Sequence, residues 1–237
     1  MKVLIVIPAR GGSKGLKNKN ILPLMGKPLI GYTIDAAKES HLTDKIVIST
    51  EDQEIAQCAT GLGVQVIDRP PEFSADDSPI EHALRHAVRH LEKIEGYRPE
   101  IVIWLQANVP LRKPGQIDTV INRLIKCNSD SVLTVTEVTQ RPEFMKKMDC
   151  AGRITHVVQS KEYQRQGFAE PLYIADGAVI AMKTDILMGT EGKTGAHVYL
   201  GDDIRGVVQE PRYAIEIDDQ FDFDIVMGLL MIDKSRT

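Results

Sequence analysis

The feature of this sequence that most constrains its fold is the alternation of short apolar runs with longer amphipathic stretches. A run of Val, Leu and Ile is typical of a strand buried on both faces of a parallel sheet. Apolar positions spaced three and four residues apart predict helices that pack on such a sheet. The predicted strands are residues 3–7, 45–49, 64–67, 101–105 and 131–136, and the predicted helices are residues 28–39, 52–60, 79–91 and 115–127.

This order predicts an α/β fold with three α/β/α layers, in which a mostly parallel, doubly wound sheet has helices on both faces. Ligands of such sheets bind beyond the carboxyl ends of the strands. The alternation breaks after residue 137, because residues 140–172 are polar and contain Pro, Lys, Arg and Gln. We predict an inserted hairpin, lid or dimerisation arm there, followed by strands at 178–182 and 213–217 and a helix at 219–230. No interdomain linker is visible, so residues 1–237 are predicted to form one domain.

Composition excludes several classes of function. The formal net charge of −4 gives no bulk electrostatic reason to expect nucleic acid or an anionic membrane as a partner. No run of 18 apolar residues occurs, so no membrane insertion is predicted, and we expect a cytoplasmic protein. The three cysteines are far apart and form no C-x-x-C pair, which indicates free thiols.

A basic, glycine-rich loop follows the first predicted strand. Residues 8–20 read Pro-Ala-Arg-Gly-Gly-Ser-Lys-Gly-Leu-Lys-Asn-Lys-Asn, with four cations, three glycines and no acid. Backbone N–H groups in such a turn can form an anion-binding concavity, to which Arg and Lys add fixed charge. The spacing fits neither a Walker A loop nor a Rossmann fingerprint. A solvated basic loop is the alternative, but charge, glycine content and position together favour a triphosphate site.

The loop and several later motifs resemble the acylneuraminate cytidylyltransferases (CMP-sialic acid synthetases), whose relatives activate other nonulosonic and 3-deoxy-octulosonic acids. The later motifs, in order, are Gly26-Lys-Pro-Leu-Ile30, Ser49-Thr-Glu-Asp52, Asp76-Asp-Ser-Pro79, Leu105-Gln106, Pro110-Leu-Arg112, Arg165-Gln166, Asp176-Gly-Ala178 and Glu216-Ile-Asp218. The resemblance implies a nucleotide-diphospho-sugar transferase-like fold. It also implies transfer of CMP from CTP to an acidic 2-keto-3-deoxy sugar, with release of pyrophosphate, Mg²⁺ as cofactor and a homodimer.

The resemblance also implies roles for individual residues. Catalytic roles fall to Arg10, Lys19 and Asp218. The acceptor sugar is assigned to Gln106, Arg165 and Asp176, and the metal to Asp218 and Glu216. The nucleotide is assigned to Ala9, Arg10, Gly11, Gly12, Ser13, Lys14, Lys19, Asn20, Ser78 and Arg112.

Alternatives stay open at three of these positions. Ser78 could cap the helix predicted at 79–91, and Arg112 could form a structural salt bridge. Glu216 stands where the family has Asp, and its longer side chain makes direct metal ligation an open question.

The acceptor is also open, because Asp176 stands where an Asn is expected against the sugar, and an ionised Asp can only accept hydrogen bonds. The changes lie on the acceptor side, so a sugar other than N-acetylneuraminate is compatible with the sequence. Two other functions remain: a nucleotidyltransferase that uses another NTP and a sugar 1-phosphate, and a noncatalytic nucleotide-binding protein.

Overall fold

A seven-stranded sheet forms the centre of the protein. The computed structural model describes residues 1–13, 15–159 and 170–236. In spatial order the strands are β11 (Ile204–Gln209), β7 (Ser131–Glu137), β10 (Tyr173–Lys183), β6 (Ile101–Trp104), β1 (Val3–Pro8), β4 (Lys45–Thr50) and β5 (Gln65–Asp68). Strand β10 is antiparallel to both of its neighbours, and the other strands run in one direction. The predicted mostly parallel sheet is therefore confirmed.

Helices cover both faces of this sheet. They are α1 (Leu29–Lys38), α2 (Gln53–Gly61), α3 (Ile80–Glu95), α4 (Gln116–Cys127), α5 (Thr184–Met188) and α6 (Gln220–Arg236). One apolar cluster joins α1, α2 and α4 to the first face. A second cluster joins α3 and α5 to the opposite face. A third, smaller cluster packs α6 against the start of α1. The predicted three-layer architecture is confirmed.

Strand β1 shows why the sequence folds in this way. Its residues Val3 to Ile7 are fully buried. Side chains alternate across a strand, and Val3, Ile5 and Ile7 enter the first cluster while Leu4 and Val6 enter the second. The chain continues from β1 to β4 and β5 on one side, and returns through α3 to β6 on the other. This reversal beside β1 is the switch point at which open α/β sheets bind ligands.

Near the carboxyl terminus one predicted strand does not form, and one strand was not predicted. No strand forms at 213–217, where a 3₁₀ turn (Pro211–Tyr213) leads into irregular backbone. This segment lies beside a loop instead of a strand, and the Ile217 amide donates to the Asn108 carbonyl at 2.9 Å. Strand β11 was not predicted, because Arg205 and Gly206 interrupt its apolar pattern and one of its sides is the edge of the sheet.

Part of the predicted insertion forms a hairpin. Strands β8 (Lys146–Met148) and β9 (Ile154–His156) pair antiparallel, with Met148 opposite Ile154. Both of these apolar side chains are exposed. A second short antiparallel pair, β2 (Pro23–Leu24) and β3 (Lys27–Pro28), follows the glycine loop. None of the helices in the described part of the chain is long and apolar enough to cross a membrane.

Candidate active site

A cavity of about 490 Å³ lies beyond the carboxyl ends of β1, β5 and β6. Its wall combines the glycine loop after β1, Arg69 after β5, residues 106–108 after β6, and Asp218. Parallel strands bring the first three segments to the same edge of the sheet, and the hydrogen bond from the Ile217 amide to the Asn108 carbonyl holds Asp218 beside them. The cavity thus occupies the position at which the sequence predicted a ligand.

The glycine loop is held by short polar contacts. The Ala9 amide donates to the Ser49 carbonyl at 3.0 Å, and the buried side chain of Asn20 donates to the Arg10 carbonyl at 2.9 Å. The Gly11 amide donates to Glu51 Oε1 at 2.8 Å. Asn20 and Glu51 therefore fix the course of the loop from inside the protein.

Arg10, Gly12 and Ser13 of the loop are partly or fully exposed. Ser13 lines the cavity, and Gly12 is exposed with a φ of +67°. Arg10 also lines the cavity and forms an ion pair with Asp76, at 2.6 Å between Nη1 and Oδ1. Lys14 lies outside the described residues. The loop thus presents Arg10 and Ser13 to any ligand in the cavity.

Lys19 and Asp218 meet at the mouth of the cavity. Lys19 Nζ donates to Asp218 Oδ1 at 2.8 Å, and Asn108 Nδ2 donates to the same oxygen at 3.1 Å. The Asp218 side chain is 68% exposed, whereas that of Lys19 is 15% exposed. Gly15 packs against this group, since a Cβ on Gly15 would lie 2.1 Å from the Asp218 carbonyl oxygen. The loop and the segment that carries Asp218 are therefore in direct contact.

Glu216 is half-buried beside the same group. Burial raises the pKa of its carboxyl above the ordinary value, and the charge of Asp218 raises it further, while Gln106 and Lys19 lower it. The amide of Gln106 lies 3.0 Å from both carboxylate oxygens when its nitrogen faces them. An ionised carboxylate only accepts hydrogen bonds, so this orientation satisfies both groups.

Asp218 and Glu216 are the predicted metal ligands. In the described part of the chain, no group of three or more His, Cys, Asp or Glu side chains is placed to hold a metal ion. Mg²⁺ in nucleotide sites is usually bound by one or two protein carboxylates together with phosphate oxygens and water. Asp218 and Glu216 supply a donor set of that size and type, so the residues present fit Mg²⁺ bound with a nucleotide.

Arg69 and Glu51 were not predicted as site residues. Arg69 is 4% exposed, lines the cavity, and donates to Glu51 Oε2 at 2.7 Å. Burial raises the pKa of Glu51, but hydrogen bonds from Arg69 and Ser74 outweigh it and hold the pKa below the ordinary value. Both residues directly follow strands, β5 and β4, and this position was the sequence signal that could have identified them.

Ser78 does not cap α3. The residue that precedes the helix is Pro79, and no side chain caps it. The Ser78 hydroxyl is buried and has no hydrogen-bond partner among the described residues. A contact between Ser78 and the nucleoside stays a prediction, and the alternative of a helix cap is wrong.

Arg112 is enclosed by backbone. Burial lowers the pKa of its guanidinium to about 9, although the charge of Asp176 raises it, so the group remains protonated at neutral pH. Its acceptors are Gln106 O at 2.7 Å, Val109 O at 2.5 Å, Thr33 Oγ1 at 2.7 Å and Ala178 O at 2.9 Å. None of these is a carboxylate, so Arg112 joins the loop after β6 to β10. Its predicted contact with the nucleotide remains untested.

Asp176 also points into the interior. It is 5% exposed, and both of its oxygens accept hydrogen bonds from the protein. The sequence placed this carboxylate against the acceptor sugar, whereas these hydrogen bonds place it behind the wall of the site. Arg165, the third predicted sugar contact, lies outside the described residues.

The sequence of this chain matches a known family model. Residues 4–173 match the model described as Cytidylyltransferase. The chain belongs to the cytidylyltransferase family. One relative is the N-acylneuraminate cytidylyltransferase of Streptococcus agalactiae serotype V, 30% identical over 236 residues, which are 98% of this chain and 54% of the relative. This cytidylyltransferase chain thus spans about half the length of the curated relatives that it matches first.

In two further comparisons, the match extends over a larger share of the other protein. The CMP-N,N′-diacetyllegionaminic acid synthase of Legionella pneumophila is 30% identical over 180 residues, which are 76% of this chain and 77% of the relative. The structure of a CMP-2-keto-3-deoxy-manno-octonic acid synthetase complexed with CTP superposes with a TM-score of 0.74. That similarity covers 98% of this chain and 100% of the other at 20% identity, and it shows that the fold is shared.

Proposed function

We propose that this cytidylyltransferase joins CMP from CTP to a sialic acid-like 2-keto-3-deoxy sugar acid and releases pyrophosphate. The observation that carries the proposal is the convergence of the glycine loop, Lys19 and Asp218 on one cavity at the switch point of the sheet. The relatives from S. agalactiae and L. pneumophila are named for two different acids, N-acylneuraminate and N,N′-diacetyllegionaminic acid. Their names support the class of acceptor and leave its identity open.

The nucleotide half of the proposed site is built from cations and amides. Arg10, Ser13 and Lys19 line the cavity, and the loop supplies backbone N–H groups for a triphosphate. Lys19 lies beside Asp218, where we place the α-phosphate. Fixed positive charge at that point stabilises the negative charge that develops as pyrophosphate leaves.

The acceptor half lies around Gln106. A sugar hydroxyl attacks the α-phosphate in line with the departing pyrophosphate, and catalysis comes mainly from positioning and electrostatics. Gln106 orients the sugar, while Asp218 and Glu216 would hold Mg²⁺. When bound, this ion offsets negative charge on the phosphate oxygens. Arg165 is proposed to pair with the sugar carboxylate, since Arg binds carboxylates with two hydrogen bonds.

We further propose a cytoplasmic homodimer built through the hairpin of β8 and β9. Met148 is 72% exposed and Ile154 is 61% exposed, and they lie opposite each other on the hairpin. Phe144, Met145, Val157 and Val158 add further exposed apolar surface nearby in the sequence. Burial of such surface between two copies is favourable by about 25 cal/mol for each Å².

Nucleotide specificity tests the first half of the proposal. The protein, with Mg²⁺, is titrated with CTP, UTP, GTP and ATP in a calorimeter. We expect CTP to bind at least about tenfold more tightly than the others, a difference of about 1.4 kcal/mol. Equal affinity for all four would remove the cytidylyltransfer assignment, and preference for GTP would favour transfer to a sugar 1-phosphate. CTP binding without turnover of any acceptor would support a noncatalytic protein.

A further inference from the structure

A bulge in strand β10 lies directly behind the acceptor side of the site. The pairing of β10 with β7 shifts register between Ala175 and Ile180. At this bulge Gly177 has a φ of +67°, and a Cβ there would lie 2.8 Å from Glu216 Oε1 and 2.4 Å from the end of the Gln106 amide that does not face Glu216. The backbone of the bulge therefore packs against both side chains. A glycine suits this point because its φ is positive and because a Cβ would overlap the side chains of Gln106 and Glu216.

Asp176 fixes one side of this bulge. Its oxygens accept hydrogen bonds from Thr134 Oγ1, from Thr136 Oγ1 at 2.9 Å, from Gln209 Nε2 at 2.8 Å and from the Ala178 amide at 3.1 Å. The three side-chain donors come from β7 and β11. A buried carboxylate is costly unless it is paired or hydrogen-bonded. Four donors satisfy it here and tie the bulge to both strands.

Arg112 fixes the other side. Its Nε donates to the Ala178 carbonyl at 2.9 Å, while its Nη2 donates to the Gln106 carbonyl at 2.7 Å. The N–H group of Ala178 is thus held by Asp176 and its C=O group by Arg112. The same guanidinium joins the bulge to the backbone of Gln106. Neither Asp176 nor Arg112 lines the cavity.

We propose that Asp176 is a positioning residue which, with Arg112, fixes the bulge so that Gly177 sets the orientation of Gln106. With Nε2 turned to Glu216, the amide oxygen of Gln106 lies against Gly177. This assignment rests on the proposed function, and it gives Asp176 a role that needs no contact with the sugar.

The test compares three variants by pyrophosphate release and CTP titration. Asp176→Asn places an amide against donors that need an acceptor, so kcat/KM for the sugar acid falls on the order of 10-fold to 100-fold. The Kd for CTP stays within about twofold, because the glycine loop is untouched. Thr136→Val removes one hydrogen-bond donor to Asp176 and gives a smaller fall in kcat/KM for the sugar acid. Asp176→Asn combined with Gln209→Glu lets the new amide donate to the new carboxylate and restores part of the loss.

Two outcomes overturn the proposal. If Asp176 touches the sugar, Thr136→Val leaves the acceptor kinetics unchanged and the double variant recovers nothing. If the role is purely structural, CTP affinity and acceptor kinetics fall together.

Amide hydrogen exchange gives a readout that does not depend on turnover. Asp176→Asn should speed exchange at 106–109 and 175–180 on the order of tenfold and leave β1 protected. Unchanged exchange there refutes the positioning role, whereas an inactive wild-type protein refutes the proposed function instead.

Discussion

Replacing Gly15 with alanine tests the contact between the glycine loop and the segment that carries Asp218. The added Cβ would lie 2.1 Å from the Asp218 carbonyl oxygen, and real Cβ atoms keep at least 3.0 Å from such atoms. The two segments must therefore separate by about 1 Å, and a misplacement of this size costs about 100-fold in rate. We expect kcat/KM to fall by about that factor, because Lys19 and Asp218 no longer meet at the α-phosphate.

The assay is pyrophosphate release from CTP with a sugar acid that the wild-type protein accepts, together with thermal unfolding. Gly61→Ala is the matched control, since a Cβ there meets no atom within 4 Å and Gly61 lies at the end of α2. It should leave kcat/KM within about twofold and stabilise the helix by less than about 1 kcal/mol. Wild-type kinetics in Gly15→Ala would show that the close contact has no part in catalysis.

Three further predictions concern other parts of the molecule. Glu51→Gln leaves the buried Arg69 without its counterion, so chemical denaturation at neutral pH should show a loss of about 3 kcal/mol. The pKa of Glu51 is lower in the folded protein than its ordinary value. The stabilisation by its carboxylate is therefore complete above the ordinary pKa and is lost as the pH falls through the folded pKa. A loss of stability in Glu51→Gln that is equal at all pH values would contradict this reasoning. Asp218→Asn should lower kcat at least about 100-fold and change unfolding by less than about 0.5 kcal/mol, because the side chain is exposed; unchanged Mg²⁺-dependent turnover would contradict its role. Met148→Lys with Ile154→Lys should yield a monomer in analytical ultracentrifugation, and a persistent dimer would place the interface elsewhere.

The pattern of apolar residues was sufficient to predict the strands that are buried on both faces of the sheet. Strand β1 is apolar at every position from 3 to 7, so its type and place in the sheet could be predicted. Strand β11 could not, because an edge strand is covered on one side and its sequence carries Arg205 and Gly206. The segment 213–217 has strand-like composition, but in the described part of the chain it joins no sheet and lies against the loop that contains Asn108.

Some residues of the candidate site could also be predicted from the sequence, and others could not. The glycine loop could be predicted because its glycines and cations lie together in the sequence. Its position at the carboxyl end of β1 followed from the prediction of a parallel sheet. Arg69 was missed because it is a single cation, so its position directly after β5 was the only sequence signal that it offered. The hydrogen bonds that Asp176 and Arg112 form with the protein could not be predicted, because a sequence does not show whether a charged side chain faces a cavity or the backbone behind it.

The most direct test of the proposed activity follows the label from [α-³²P]CTP. The protein is incubated with Mg²⁺, the labelled nucleotide and, in separate reactions, a panel of 2-keto-3-deoxy sugar acids or of sugar 1-phosphates. The proposal predicts that label enters a CMP-sugar with at least one acid, and that γ-labelled CTP yields labelled pyrophosphate. Label that enters a product only with a sugar 1-phosphate, or stays in CTP with every acceptor, would contradict it.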